Sequence, residues 1–92
     1  MKKDEFKEIL NKVHKLYIEK GKDYGDSWYA LGSKGVFVYV YNKVERLKNL
    51  FWDNKNPRFE SIEDNMLDLI TYSVLLYWGL QKDKKKKQKD LS

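Results

Sequence analysis

The sequence predicts an all-α fold, a three-helix protomer that assembles into a bundle-like homo-oligomer. Three observations predict it. Apolar residues recur at three- to four-residue spacing in three separate segments, the pattern of a helix with one buried stripe. The breaks between those segments carry the chain's punctuation, with Gly25, Ser27, Gly32 and Ser33 in the first and Pro57 in the second. The third segment is apolar on two faces, more than a single chain of 92 residues can bury in its own thin core.

The first helix begins at Asp4 as cap, keeps Phe6, Ile9, Leu10, Val13, Leu16 and Tyr17 in register, and stops at Gly21. Residues 22–35 read as a structured loop carrying Trp28 and Tyr29. The run VFVYVY, residues 36–41, has the composition of a strand. Its pattern is helical: Val36, Phe37, Val40, Val44, Leu47, Leu50 and Phe51 fall in one arc of about 140° on a helical wheel. A lone strand in so short a chain would also lack a partner for its backbone. One helix over 34–52 accounts for the segment. After a loop at 53–57, Ser61 and Asp64 make a capping box that starts the third helix. On that helix Ile62, Met66, Leu69, Ile70, Ser73, Leu76, Tyr77 and Leu80 form one broad stripe, and Leu67, Val74, Leu75 and Trp78 occupy much of the other side.

Composition narrows the function. Without cysteine the chain has no disulfide, no zinc-thiolate site and no thiol nucleophile. No apolar run reaches 18 residues and Met1 to Glu5 are mostly charged, so neither a membrane span nor a signal peptide is read, and a cytoplasmic protein is expected. The net charge of +5 sits mainly at one end. Residues 82–92 hold six lysines against two aspartates, which leaves +1 for residues 1–81. The organisation expected is therefore one helical domain, 1–81, followed by a lysine-rich flexible tail, 82–92. Nucleic acid is not expected as a partner except weakly through that tail.

Acids in an apolar setting carry the chemistry. Asp68 shares its side of the third helix with Tyr72 and Leu75, where an ionised carboxylate needs a metal ion or a basic side chain to offset its desolvation. Asp64 lies one turn earlier, although it serves equally as the capping-box acid. On the second helix Asn42, Glu45 and Asn49 share a polar edge, with Lys43 and Arg46 projecting to another side. Antiparallel packing of the two helices converges Glu45, Asp64 and Asp68 on one magnesium ion, a hard cation suited to carboxylate oxygens, with Lys43 and Arg46 left to neutralise substrate phosphates. In the loop KDYGDSW, Asp23 and Asp26 flank Gly25 beside Tyr24 and Trp28, a platform for stacking a nucleobase or a turn that packs its rings on the core. His14, the single histidine, lies at the margin of the first apolar stripe and gives little support for histidine catalysis.

Three segments, KDYGDSW, NKVERLKNL at 42–50 and ESIEDNMLDLITY at 60–72, together resemble the phage and bacterial nucleotide-modification-associated helical domain. That domain is similar to the MazG-like all-α nucleoside triphosphate pyrophosphatases. The resemblance covers roughly residues 16–80. It implies magnesium held by acids of two facing helices and active sites built between subunits, with Asp68, Asp64 and Glu45 matching motif acids. Asn42 stands where a further acid is expected, and Asn65 lies three residues before Asp68. The function implied is magnesium-dependent cleavage of a nucleoside triphosphate, with a deoxynucleotide expected, to monophosphate and pyrophosphate, by a dimer or tetramer. Glu45, Asp64 and Asp68 would hold the metal, Glu63 would serve as base, Lys43 and Arg46 would stabilise charge, and Asp23, Tyr24, Trp28 and Asn42 would contact the substrate. The alternative is a non-catalytic helical module that binds a nucleotide or a protein.

Overall fold

The computed structural model describes residues 1–21, 29–53 and 58–91. Among these every regular element is helical: α1 (Lys3–Glu19), α2 (Gly32–Lys48), a π turn (Asn49–Asp53) that extends α2, and α3 (Phe59–Leu91). The all-α, three-helix reading holds, and VFVYVY lies wholly inside α2. No described helix is long and apolar enough to cross a membrane.

The helix ends differ from expectation in local detail. The N-cap of α1 is Lys2, whose backbone N–H donates to the Glu5 carboxylate at 3.4 Å. Asp4 is thus a first-turn acid, placed where negative charge favours the helix dipole, and does not cap. α1 closes on Lys20 at φ −93°, and Gly21 keeps a negative φ, so no left-handed glycine stop is used. α3 takes up Phe59 before Ser61, with Ile62 N–H donating to the Arg58 carbonyl at 3.2 Å. Ser61 and Asp64 therefore sit inside the helix, and no capping box forms. At the other end α3 runs unbroken through the lysine-rich segment to Leu91. Its 33 residues, at about 1.5 Å each, account for most of the molecule's 54 Å long dimension.

α2 and α3 form an antiparallel hairpin, as a short connection favours. Its register can be followed from end to end: Lys43 meets Asp68, Tyr39 stacks on Tyr72, and Ser33 donates to Asp83. At the far end Tyr29 hydroxyl also donates to the Gly79 carbonyl at 3.3 Å. A Cβ on Gly79 would lie 2.7 Å from the Tyr29 ring, so the close approach there requires glycine. α1 crosses α3 through two ion pairs, Lys12–Glu63 at 2.6 Å and Lys20–Asp68 at 3.7 Å.

The rotational setting of α3 departs from the sequence pattern. The α2 stripe that faces α3 includes Val36, Lys43 and Leu47, and the α3 stripe includes Asn65, Asp68, Tyr72, Leu75 and Gly79. Buried Asn65 and Thr71 satisfy their side chains on the carbonyls one turn back, Ser61 at 2.7 Å and Leu67 at 2.9 Å. Phe37, Val44 and Phe51 on α2 and Met66, Tyr77 and Leu80 on α3, all expected in the core, are exposed. On α2 the expected arc keeps Val36 and Leu47 in the core with Val40 and Leu50 partly covered, while on α3 the expected stripe lies about one residue round from the true contact.

Candidate functional site

The α2–α3 seam gathers the chain's polar chemistry at three levels. In the middle, the Asp68 carboxylate receives the Lys43 ammonium at 3.0 Å and the Lys20 ammonium at 3.7 Å. Lys43 and Asp68 are largely enclosed, with side chains 19% and 26% exposed. Beside them Tyr72 stacks on Tyr39, ring centroids 5.2 Å apart and planes 13° from parallel. Burial first, then the Asp68 charge, pushes the Tyr72 phenol above its ordinary value, because both penalise the phenolate.

One step toward the start of α3 a groove opens, lined by Arg46, Asn49, Leu50 and Asp53 on one wall and by Ser61 and Asn65 on the other. Its volume is about 440 Å³. The π turn shapes the first wall. A π turn inserts one residue beyond the α-helical count, and such insertions recur at functional sites. Asn65, buried, anchors the second wall through its bond to the Ser61 carbonyl.

At the opposite end of the hairpin Asp83 accepts hydrogen bonds from Ser33 hydroxyl at 2.5 Å and from Tyr29 hydroxyl. These bonds hold the Asp83 carboxyl below its ordinary range, Ser33 contributing most, and the same Asp83 contact raises the Tyr29 phenol. Tyr29 packs edge-on against Trp78 at 5.6 Å, and the Lys82 ammonium lies over both rings, 5.0 Å from Trp78 and 5.6 Å from Tyr29.

Of the residues nominated from sequence, Lys43 and Asp68 meet each other, and Arg46 lines the groove. Glu63 pairs with Lys12 on the surface, Asp64 and Asn42 are exposed, and Asp23, Tyr24 and Trp28 lie outside the described residues. Glu45 is two residues beyond Lys43, about 200° round the helix, and so points away from the seam that Lys43 enters. Among the described residues no three His, Cys, Asp or Glu side chains come together as a metal site. Within one protomer Glu45, Asp64 and Asp68 do not converge, and Asp68 takes its neutralising charge from lysine.

Sequence reasoning passed over Asn49, Ser61 and Asn65 as a set, and also Tyr29 with Asp83. A signal for the groove was present, since Arg46 and Asn49 are three apart and Ser61 and Asn65 four apart, each pair sharing a helix face. The Tyr29–Asp83 contact spans 54 positions and leaves no local pattern.

The family model described as Nucleotide modification associated domain 1 matches residues 20–78, more than half of the chain. No curated protein and no solved structure matches it.

Proposed function

The chain belongs to the family described as nucleotide modification associated domain 1, and on that premise we propose that it binds a nucleotide in the groove between α2 and α3, with Arg46 holding the phosphate. The observation that carries this reading is the lining of the groove, a guanidinium facing amide and hydroxyl groups. A guanidinium presents phosphate with a planar fork of donors. Asn49, Asn65 and Ser61 supply the mixed donors and acceptors that can read a sugar hydroxyl or a base edge. The groove's volume falls in the range of small-ligand sites. Lys43 is engaged with Asp68, so the phosphate falls to Arg46, while Asp23, Tyr24 and Trp28 remain the proposed base contacts.

Magnesium-dependent pyrophosphohydrolysis, in the manner of the MazG-like enzymes, is the second reading. What favours it is Asp53, an acid in the groove beside Arg46, with Asp64 adjacent to groove-lining Asn65. Among the described residues no set of acids in one protomer fits a magnesium ion, because Glu45 faces away and Asp68 is lysine-bound. Hydrolysis would draw its further acids from a second copy or from Asp23 and Asp26, which lie outside the described residues.

The test is calorimetric titration with deoxynucleoside mono- and triphosphates, with and without magnesium, on wild type and Arg46→Ala. Wild type should bind, and the variant should bind about 10- to 100-fold more weakly, the cost of a lost charged hydrogen bond. Failure of wild type to bind any nucleotide, or equal affinity in the variant, overturns the assignment. Pyrophosphate release in the same mixtures separates hydrolysis from binding alone.

A homo-oligomer, dimer or tetramer, belongs to the same proposal. The protomer exposes 7923 Å², whereas a compact monomer of its mass, 11.1 kDa, exposes roughly 5,700 Å². The excess exceeds what each partner contributes to a standard interface, about 800 Å². Phe37 and Val44 each follow an α3-facing residue of α2 by one position, and Met66 and Leu80 do the same on α3. In an antiparallel pair that common offset places both sets on the same side of the hairpin, one apolar face suited to a second copy. Light scattering should give at least two protomers per particle at micromolar concentration, and a stable monomer overturns the proposal.

A further inference from the structure

The lysine-rich end of α3 differs from a solvated tail in one respect: it is fixed against two aromatic rings. Asp83 is bonded to Tyr29 and Ser33, which sets the rotation of the helix at this point. Lys82, Lys85 and Lys86, at helical spacings of three and four, then share one face and line a groove of about 470 Å³ together with Tyr29 and Asp83. Trp78, about half exposed, continues the wall from which Lys82 reaches over both rings. The local charge is high, since residues 82–92 carry +4 of the chain's +5.

We propose that this face, Lys82, Lys85 and Lys86 beside Tyr29 and Trp78, binds single-stranded nucleic acid, the lysines taking the phosphate backbone and the rings stacking a base. Cations tracking a backbone beside aromatic platforms are the recurring design of single-strand sites. In the free protein the Lys82 ammonium rests on the faces of Tyr29 and Trp78. A phosphate that takes up the Lys82 ammonium leaves the half-exposed Trp78 ring to a base. A membrane surface fits less well, because residues 81–90 carry no apolar residue to insert beneath a charged face. The site is separate from the Arg46 groove: residues 63 and 84 of α3 are about 30 Å apart at 1.5 Å per residue.

The experiment measures anisotropy of a labelled oligothymidine against the full chain over a range of salt, with the duplex of equal length and anionic phosphatidylserine vesicles as separate arms. Wild type should prefer the single strand. The triple variant Lys82→Gln, Lys85→Gln, Lys86→Gln should lose about 2 from the slope of log affinity against log salt, roughly 0.7 per phosphate contact. A charge-matched control, Lys2→Gln, Lys3→Gln, Lys7→Gln, should keep the wild-type slope. Trp78→Ala, with its helicity checked by circular dichroism, should bind about tenfold more weakly, the loss of one stacked base. Equal losses in the control, unchanged affinity in a folded Trp78→Ala, or binding to vesicles but not to the oligonucleotide would each overturn the proposal.

Discussion

Asp68 and Asp83 stand on the same helix, and both turn toward α2, yet they are matched by different chemistry. Asp68 lies in the enclosed middle of the seam and is met by two ammonium groups, Lys43 and Lys20. Asp83 lies at the open end and is met by two hydroxyls, Tyr29 and Ser33. Solvation explains the difference. A carboxylate three-quarters removed from water needs a counter-charge to offset its desolvation, whereas one that stays hydrated is held in place adequately by neutral donors. The middle of the hairpin is therefore committed by charge, and its end by orientation. This division also bears on function: the lysine that the enclosed aspartate consumes is one that sequence reasoning had reserved for phosphate.

The largest effect expected from breaking this comparison is at Asp68. Asp68→Asn leaves the Lys43 ammonium, only 19% exposed, without its counter-charge. Loss of one member of a fully buried pair costs about 3 to 5 kcal/mol, and the partial exposure here brings the expectation to about 2 kcal/mol. For a domain of this size that lowers the Tm by roughly 10 °C. Lys20→Ala should cost much less, since Lys20 is half exposed and stands farther off, at 3.7 Å. Melting curves with and without magnesium decide the matter. If magnesium instead raises the wild-type Tm, and Asp68→Asn is as stable as wild type without the ion, Asp68 is a metal ligand and the lysine-pair account fails.

The element list was legible in the sequence because periodicity and glycine or serine breaks are local, and the helix over 34–52 survived a strand-like composition for that reason. The rotation of α3 was not, whereas the expected stripes of α1 and α2 do hold the buried Val13, Val36 and Leu47. The wheel selects the most apolar stripe, and in this chain Met66, Tyr77 and Leu80 outrank Asn65, Asp68, Tyr72 and Gly79, although the second set makes the intramolecular contact. Glycine and a paired aspartate allow helices to approach closely but carry no hydrophobic weight in a wheel. The same blindness explains the site. Asp68 was recognised as needing a cation, yet its choice between lysine and metal depended on which residue of α2 lay at its level. Lys43 and Glu45, two positions apart, point to opposite sides, so the rotational setting of α2, which a wheel does not fix, decides whether Asp68 meets a lysine or a second acid.

The smallest effect expected is at Asp83, and it is a matter of pH. Its carboxyl sits below the ordinary value of 3.8, so the folded state favours the charged form. The stabilisation it supplies is fully present above that value and is lost as pH falls through the lower, folded one. The Tyr29 phenol is raised above 10.0, so its contribution is present below that value and lost as pH rises through the higher, folded one. The contact between Tyr29 and Asp83 is thus intact between about pH 4 and pH 10 and loosens outside both limits. Since both groups are at the surface, global melting should barely register the change. Amide hydrogen exchange compared above and below the ordinary carboxylate value should register it locally. Asp83→Asn should speed exchange in residues 82–88 while leaving residues 64–72 at the wild-type rate. Asp68→Asn should do the reverse, or speed both, because its loss lowers the stability of the whole hairpin. If Asp83→Asn left exchange at 82–88 unchanged, the helix end would owe its order to local propensity alone, and the orientation of its lysines toward Tyr29 would have to be explained without the Asp83 contact.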